Sequence, residues 1–145
     1  VKPKSKLTWK VLVVRQPWAW LICIGPGGAG GPKDIENRPV AWRYRGGLLI
    51  AASAGQGTGR EWGAAVSFAK ARGVDVPERS TLSFGGIIGA VTLRALVTSH
   101  PSPWFEGPNG LVLTDRRPLP FTRIVGRLGL FDPPVEAMRR LTRYL

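Results

Sequence analysis

The run FGGIIGAVTLRALVTS, Phe84–Ser99, does most to narrow what this chain can fold into. Apolar residues fall at Ile87, Val91, Leu93 and Val97, the period of two that marks a strand with one buried face. Gly89 within the run predicts a β-bulge or a close approach of another backbone. Shorter runs of the same β-branched character stand at KVLVV (Lys10–Val14), LLIAAS (Leu48–Ser53) and LVLTD (Leu111–Asp115). RIVGRLGLFDPP, Arg123–Pro134, predicts a closing strand. The 19 Gly and 13 Pro that punctuate these runs demand short elements and many turns, which excludes a long helical bundle.

Helical signals are few. Pro17 opens a helix where its missing N–H costs nothing, and WAWLICI then runs apolar to Gly25, so this helix is mostly buried. Thr58 and Glu61 form a capping box, after which Trp62, Val66 and Ala69 recur on one face until Gly73 ends the turn. The C-terminal PPVEAMRRLTRYL predicts a helix that caps the fold. GPGGAGGPK, Gly25–Lys33, reads as a flexible loop, and PSPWFEGPNG, Pro101–Gly110, as a Pro/Gly loop. A chain of 145 residues allows one core. The expectation is a basic N-terminal arm over residues 1–9, without fixed structure, followed by a single domain over residues 10–145. Its class is α+β: a small β-barrel of about five or six strands with helices at its mouth and edges.

Lys and Arg number 21 against 9 Asp and Glu, a net charge of +12. That imbalance calls for a polyanion, and nucleic acid is the usual one, because each cation seated on a phosphate releases a condensed counterion. No apolar run reaches the ~18 residues of a membrane span, and the basic start is not followed by a signal-type apolar stretch. A cytoplasmic, monomeric protein with no membrane partner is expected. The single cysteine, Cys23, rules out a disulfide within the chain, and one histidine, His100, leaves no zinc set of ordinary composition. No metal and no cofactor are expected. Cys23 reads as a small buried hydrophobe and His100 as a loop residue with no carboxylate behind it.

Gly25, Gly27 and Gly30 satisfy GxGxxG, but they follow a helix and lead to none, contrary to the order a dinucleotide site needs. SAGQGTGREW has the right order of strand, glycines and helix for holding an anion, although Arg60 stands where a third fingerprint glycine would fall. A nucleic-acid phosphate against this helix start and Arg60 suits it better than a dinucleotide, and a simple flexible turn is the default reading.

The segment GGPKDIENRPVAWRYRG carries the densest chemistry. In an extended chain Glu36 and Arg38 share a face, so the carboxylate can orient the guanidinium, with Lys33 just before them. Near the aromatic helix start Trp18 these charges suggest a cleft for a polar planar group, such as a nucleobase stacked on an aromatic and read along its edge. The plain alternative is a salt bridge between Glu36 and Arg38 that pins the loop, with Lys33 solvated. Arg15 and Gln16 follow the first strand and can line the same cleft, whereas Trp20, Leu21 and Ile24 suit the core. WRYRG interleaves Arg43 and Arg45 with Tyr44, a pattern suited to phosphate and base contacts, although Tyr44 can equally be a packed barrel residue.

Taken together, RQPWA, the GxKxxExR run at Gly31, Lys33, Glu36 and Arg38, YRG with its apolar strand ending in serine, GGIIGAV, SPWFEGPNG and GRLGLF occur in an order that resembles the activating signal cointegrator homology (ASCH) domain family, over about residues 11–132. The resemblance implies a barrel similar to the pseudouridine-synthase and archaeosine-transglycosylase (PUA) RNA-binding domain, with RNA, more than DNA, as partner. It implies that Ser53 and Trp104 line or cover the family's pocket; Phe105 beside them suits burial. Two activities follow. One is a binding module that accepts an extruded or modified base. The other is a hydrolase, either of the amidohydrolase type known among small members, which use the motif lysine and a threonine three residues later, or a metal-independent ribonuclease. Glu36 stands at the threonine position here and removes that nucleophile. A ribonuclease would draw on Lys33 for charge stabilisation, Tyr44 or Glu36 for proton transfer and Ser53 for positioning. Binding is the preferred expectation.

Overall fold

A computed structural model describes residues 7–145. Of the arm expected over residues 1–9, residues 1–6 lie outside the described residues, and Trp9 already belongs to the first strand. In chain order the elements are β1 (Trp9–Val14), α1 (Trp18–Cys23), β2 (Ile35–Arg38), β3 (Gly46–Ala52), α2 (Gly59–Lys70), β4 (Gly86–Val97), β5 (Asn109–Arg123), β6 (Leu130–Phe131) and α3 (Val135–Leu141). The six strands form one sheet, ordered β2-β5-β4-β3-β1-β6 and curled into a half-barrel, with β2 and β6 at its edges. β1 and β3 are parallel and the other neighbours antiparallel. The α+β class and the barrel-like sheet agree with the expectation.

Both faces of the sheet are covered, which is why LLIAA reads as continuous apolar sequence rather than as alternation. On one face Leu12, Val14, Leu48, Ile50 and Ala52 pack around α1, while Val11, Leu49 and Ala51 meet Ala137 and Leu141 of α3 on the other. Helix α1 packs on β3, β4 and β5, and five of its six residues are buried. It carries the chain from β1, near one edge, to β2 at the other. Helix α2 begins with the capping box expected of Thr58 and Glu61. No described helix is long and apolar enough to cross a membrane.

Gly89 is both a bulge and a close approach. The register of β4 slips here against β3 and against β5, and a Cβ on Gly89 would lie 2.4 Å from the Cβ of Cys23 in α1. The slip corrects the expected alternation: Ile87 packs with the α3 face, whereas Val91 and Leu93 face α1. One extra residue moves everything beyond it to the other face.

Three further expectations change. The glycine loop is tied down, because Gly31 N–H donates to the Ile22 carbonyl and Lys33 N–H to the Leu21 carbonyl, so the loop runs back along α1. The strand begun at LVLTD does not stop at Asp115 but continues to Arg123 through Pro118 and Pro120. It can do so because β2 pairs only with Asn109–Val112, which leaves the rest of that flank of β5 without a strand partner. The closing strand is reduced to Leu130–Phe131, paired with Leu12 and Val11, and the residues before it form a loop.

Candidate functional site

Lys33, Glu36 and Arg38 meet because β2 is extended. Glu36 and Arg38 share one side of it, and the tied loop delivers Lys33 from below. The Glu36 carboxylate lies between two cations: Oε1 accepts from Lys33 Nζ at 3.1 Å, while Oε2 accepts from Arg38 Nε at 3.1 Å and Nη2 at 2.9 Å. Lys33 Nζ also donates to the Ile35 carbonyl, and Arg38 Nη2 reaches across to the Val13 carbonyl at 2.9 Å, joining β2 to the end of β1. Lys33 is only 2% exposed and Glu36 8%. Lys33 is therefore not the solvated side chain that the plain salt-bridge alternative required. Its ammonium sits 5.5 Å from the centre of the Trp18 ring, within cation–π range.

This network forms part of the wall of two adjoining cavities. The larger, of about 790 Å³, is bounded by the ends of β1 and β3, by β2 and by the Gly126–Gly129 loop; Arg15, Trp18, Arg38, Ser53 and Arg127 line it. The smaller, of about 190 Å³, is lined by Trp18, Lys33, Glu36, Asn37, Phe68 and Glu106. Trp18, Glu36 and Asn37 border both. The larger cleft carries three guanidinium groups against one carboxylate, so its wall is net cationic. Neither the Ser53 hydroxyl nor Arg38 Nη1 makes a hydrogen bond among the described residues, and Ser53 and Arg38 are both lining residues of that cleft. Arg15 reaches Glu61 at 2.7 Å in an exposed pair.

Other residues expected in the cleft lie elsewhere. Gln16 is buried: its Oε1 accepts from the Trp20 N–H at 2.8 Å and its Nε2 donates to the Ser83 carbonyl at 3.0 Å, so it braces the start of α1. Trp104 is buried beneath Phe68, with ring centres 6.0 Å apart, and lines neither cavity. Tyr44 donates its hydroxyl to the Thr8 or Gly47 carbonyl, each 2.8 Å away, and packs against the core. It stands two residues before β3 and Ser53 one residue past its end, so the strand, roughly 20 Å long, runs between them. Arg43 and Arg45 are exposed at that far end, and Arg45 Nη1 is bound to the Trp42 and Tyr44 carbonyls. Arg60 is exposed and lines neither cavity, and the helix start beside it is occupied by its own capping box, Thr58 and Glu61.

Several residues of the site escaped the sequence reading. Asn37 hooks the Pro/Gly loop in place: Nδ2 donates to the Trp104 carbonyl, and Oδ1 accepts from the N–H groups of Glu106 and Gly107. Phe68 meets Trp18 edge to face at 5.5 Å, and the Arg72 guanidinium stacks on the Phe68 ring. The signal for that stack was the i, i+4 spacing of Phe68 and Arg72, beside the apolar stripe of α2 rather than on it. Arg127 and Leu128 lay within the run expected to be a strand.

Cys23 is buried, and burial, opposed only in part by Arg116, pushes its thiol far above the ordinary range. His100 accepts from the Ser102 N–H, and Ser102 donates instead to Asp34, so serine, histidine and carboxylate do not form a relay. Among the described residues no three His, Cys, Asp or Glu side chains are grouped to hold a metal ion. No family model matches this sequence, and no curated protein matches it.

Proposed function

We propose that this chain is a nucleic-acid-binding module of the ASCH type, with a PUA-like fold, that takes an unstacked base, RNA before DNA, into the cleft beside Trp18. The observation that carries the reading is the Glu36 carboxylate, held rigid between Lys33 and Arg38 next to an aromatic ring in a cleft of net positive charge. A carboxylate oxygen has two acceptor directions, so Glu36 keeps capacity for a donor on a base edge while its paired cations hold it still. Arg15 and Arg127 at the rim suit the phosphates on either side. The ordered motifs and the charge of +12 support the same reading.

For the hydrolytic alternative, Lys33 Nζ is committed to Ile35 and Glu36, and Tyr44 stands at the far end of β3. The test of the binding reading is a titration of labelled single-stranded RNA at about 50 mM and about 200 mM salt. Affinity is expected to fall by tenfold or more between the two, as counterion release requires. Affinity unchanged by salt, or no binding at low salt, overturns the proposal.

A further inference from the structure

The loop between β5 and β6 carries an arrangement that the cleft alone does not explain. Val125 and Leu128 are 85% and 101% exposed, the two barest large apolar side chains among the described residues. They sit on a ridge between two cavities. Gly126, Arg127, Leu128 and Gly129 line the cleft beside Trp18, while Val125, Gly126 and Arg127 line a larger groove of about 1400 Å³ that runs past Phe121 to α3. The base of the ridge is fixed, since a Cβ on Gly126 would press to 3.2 Å from Val13 of β1, and Gly129 turns the chain at a φ of 68°.

A bare leucine flanked by an arginine costs hydration in the free protein and packs on nothing within the chain. Charge says what covers it. The two cavities together present six cations, Lys10, Arg15, Arg38, Arg123, Arg127 and Arg140, against three carboxylates, Glu36, Asp132 and Glu136. A ligand that passes from one cavity to the other must be anionic along its length and apolar on its faces, and a nucleic-acid strand meets both conditions.

Resting on the binding reading above, we infer that the Val125–Gly129 ridge is a wedge between successive bases. Leu128 packs against the base next to the one held beside Trp18, Arg127 meets the phosphate between them, and the following nucleotides lie in the larger groove. The site is thus built for an oligonucleotide rather than for a free nucleoside.

The experiment uses a labelled single-stranded RNA of about ten nucleotides, within the usual footprint of such sites, carrying 2-aminopurine at its centre. Leu128→Ala removes only exposed atoms, so its melting temperature should match that of the wild type. Its affinity is expected to drop about tenfold, the worth of burying a leucine, with the salt dependence unchanged. The brightening of 2-aminopurine that reports unstacking should be lost at saturation. Arg127→Ala should instead lower the salt slope by about one. If Leu128→Ala binds and brightens the probe like the wild type, the wedge is overturned while the binding reading stands. If the wild type binds no RNA, that reading falls and the wedge with it. Should Leu128→Ala change sedimentation from dimer to monomer, the leucine belongs to a protein contact and the inference is likewise overturned.

Discussion

Two cation-bearing clusters, Lys33–Arg38 and Arg43–Arg45, lie within thirteen residues of each other; the first also holds Asp34 and Glu36, and the second sets two arginines about Tyr44. In the folded chain they are opposites. The first is buried, with a carboxylate shared by an ammonium and a guanidinium; the second is spread over the surface at the other end of β3. The difference comes from one residue. Glu36 gives the first cluster an anion around which cations can leave water, and the second has none. Charge density alone therefore does not tell a scaffold from a contact surface, whereas the presence of a counter-charge at strand spacing does.

The comparison can be broken most directly at Glu36. Glu36→Ala leaves Lys33 buried and Arg38 half-buried without their anion, and is expected to cost about 3–5 kcal/mol, read as a lower urea midpoint. Arg43→Ala and Arg45→Ala should stay within about 0.5 kcal/mol of the wild type in the same measurement. Equal losses from all three would erase the distinction.

The glycine loop that feeds the first cluster offers the next test. A Cβ on Gly31 would stand 1.8 Å from the Leu21 carbonyl oxygen, so Gly31→Ala should cost about 3 kcal/mol, whereas Gly27 has nothing within 4 Å and Gly27→Ala should be neutral. Thermal denaturation of the two variants decides whether the loop is docked or free. A smaller effect is expected at the arginines. Because neither Arg43 nor Arg45 lines either cavity, Arg43→Ala and Arg45→Ala should leave the binding of a dinucleotide unchanged and weaken only longer RNA, each lowering its salt slope by about one.

The smallest effect concerns Cys23. Burial raises its thiol in the folded chain, so the unfolded chain loses that proton near pH 8.5 while the folded chain keeps it. Stability should decline as pH rises above about 8.5, by up to ~1.4 kcal/mol per pH unit, and Cys23→Ala should flatten that slope. Native Cys23 should also resist alkylation at pH 8, and rapid labelling without unfolding would contradict its burial.

What could be read in advance was whatever is local. The capping box at Thr58 and Glu61, the strands β1 and β3, the bulge at Gly89 and the shared face of Glu36 and Arg38 each follow from spacing within a few residues. What escaped depended on partners far along the chain. The alternation assigned to Ile87 failed because a bulge changes the face of the residues beyond it, although the bulge itself was visible. Gln16 was assigned to the cleft by its neighbours in sequence and Trp104 by the resemblance, and they are held instead by Ser83 and Phe68, more than thirty residues away. The two-residue β6 left Arg127 and Leu128 in a loop, and a period of two cannot show where pairing stops.

The flank of β5 beyond Val112 has a bearing on how these molecules behave in a crowd. A sheet edge is a template on which another chain can lay a strand. Here a newcomer would run along a rail that carries Pro118 and Pro120, two residues with no N–H to offer, just after a backbone turned aside by the positive φ of Asp115. The outermost strands themselves, β2 and β6, are four and two residues long. Neither margin can seed an extended ladder, so the half-barrel can stay open at its sides without inviting its neighbours to polymerise.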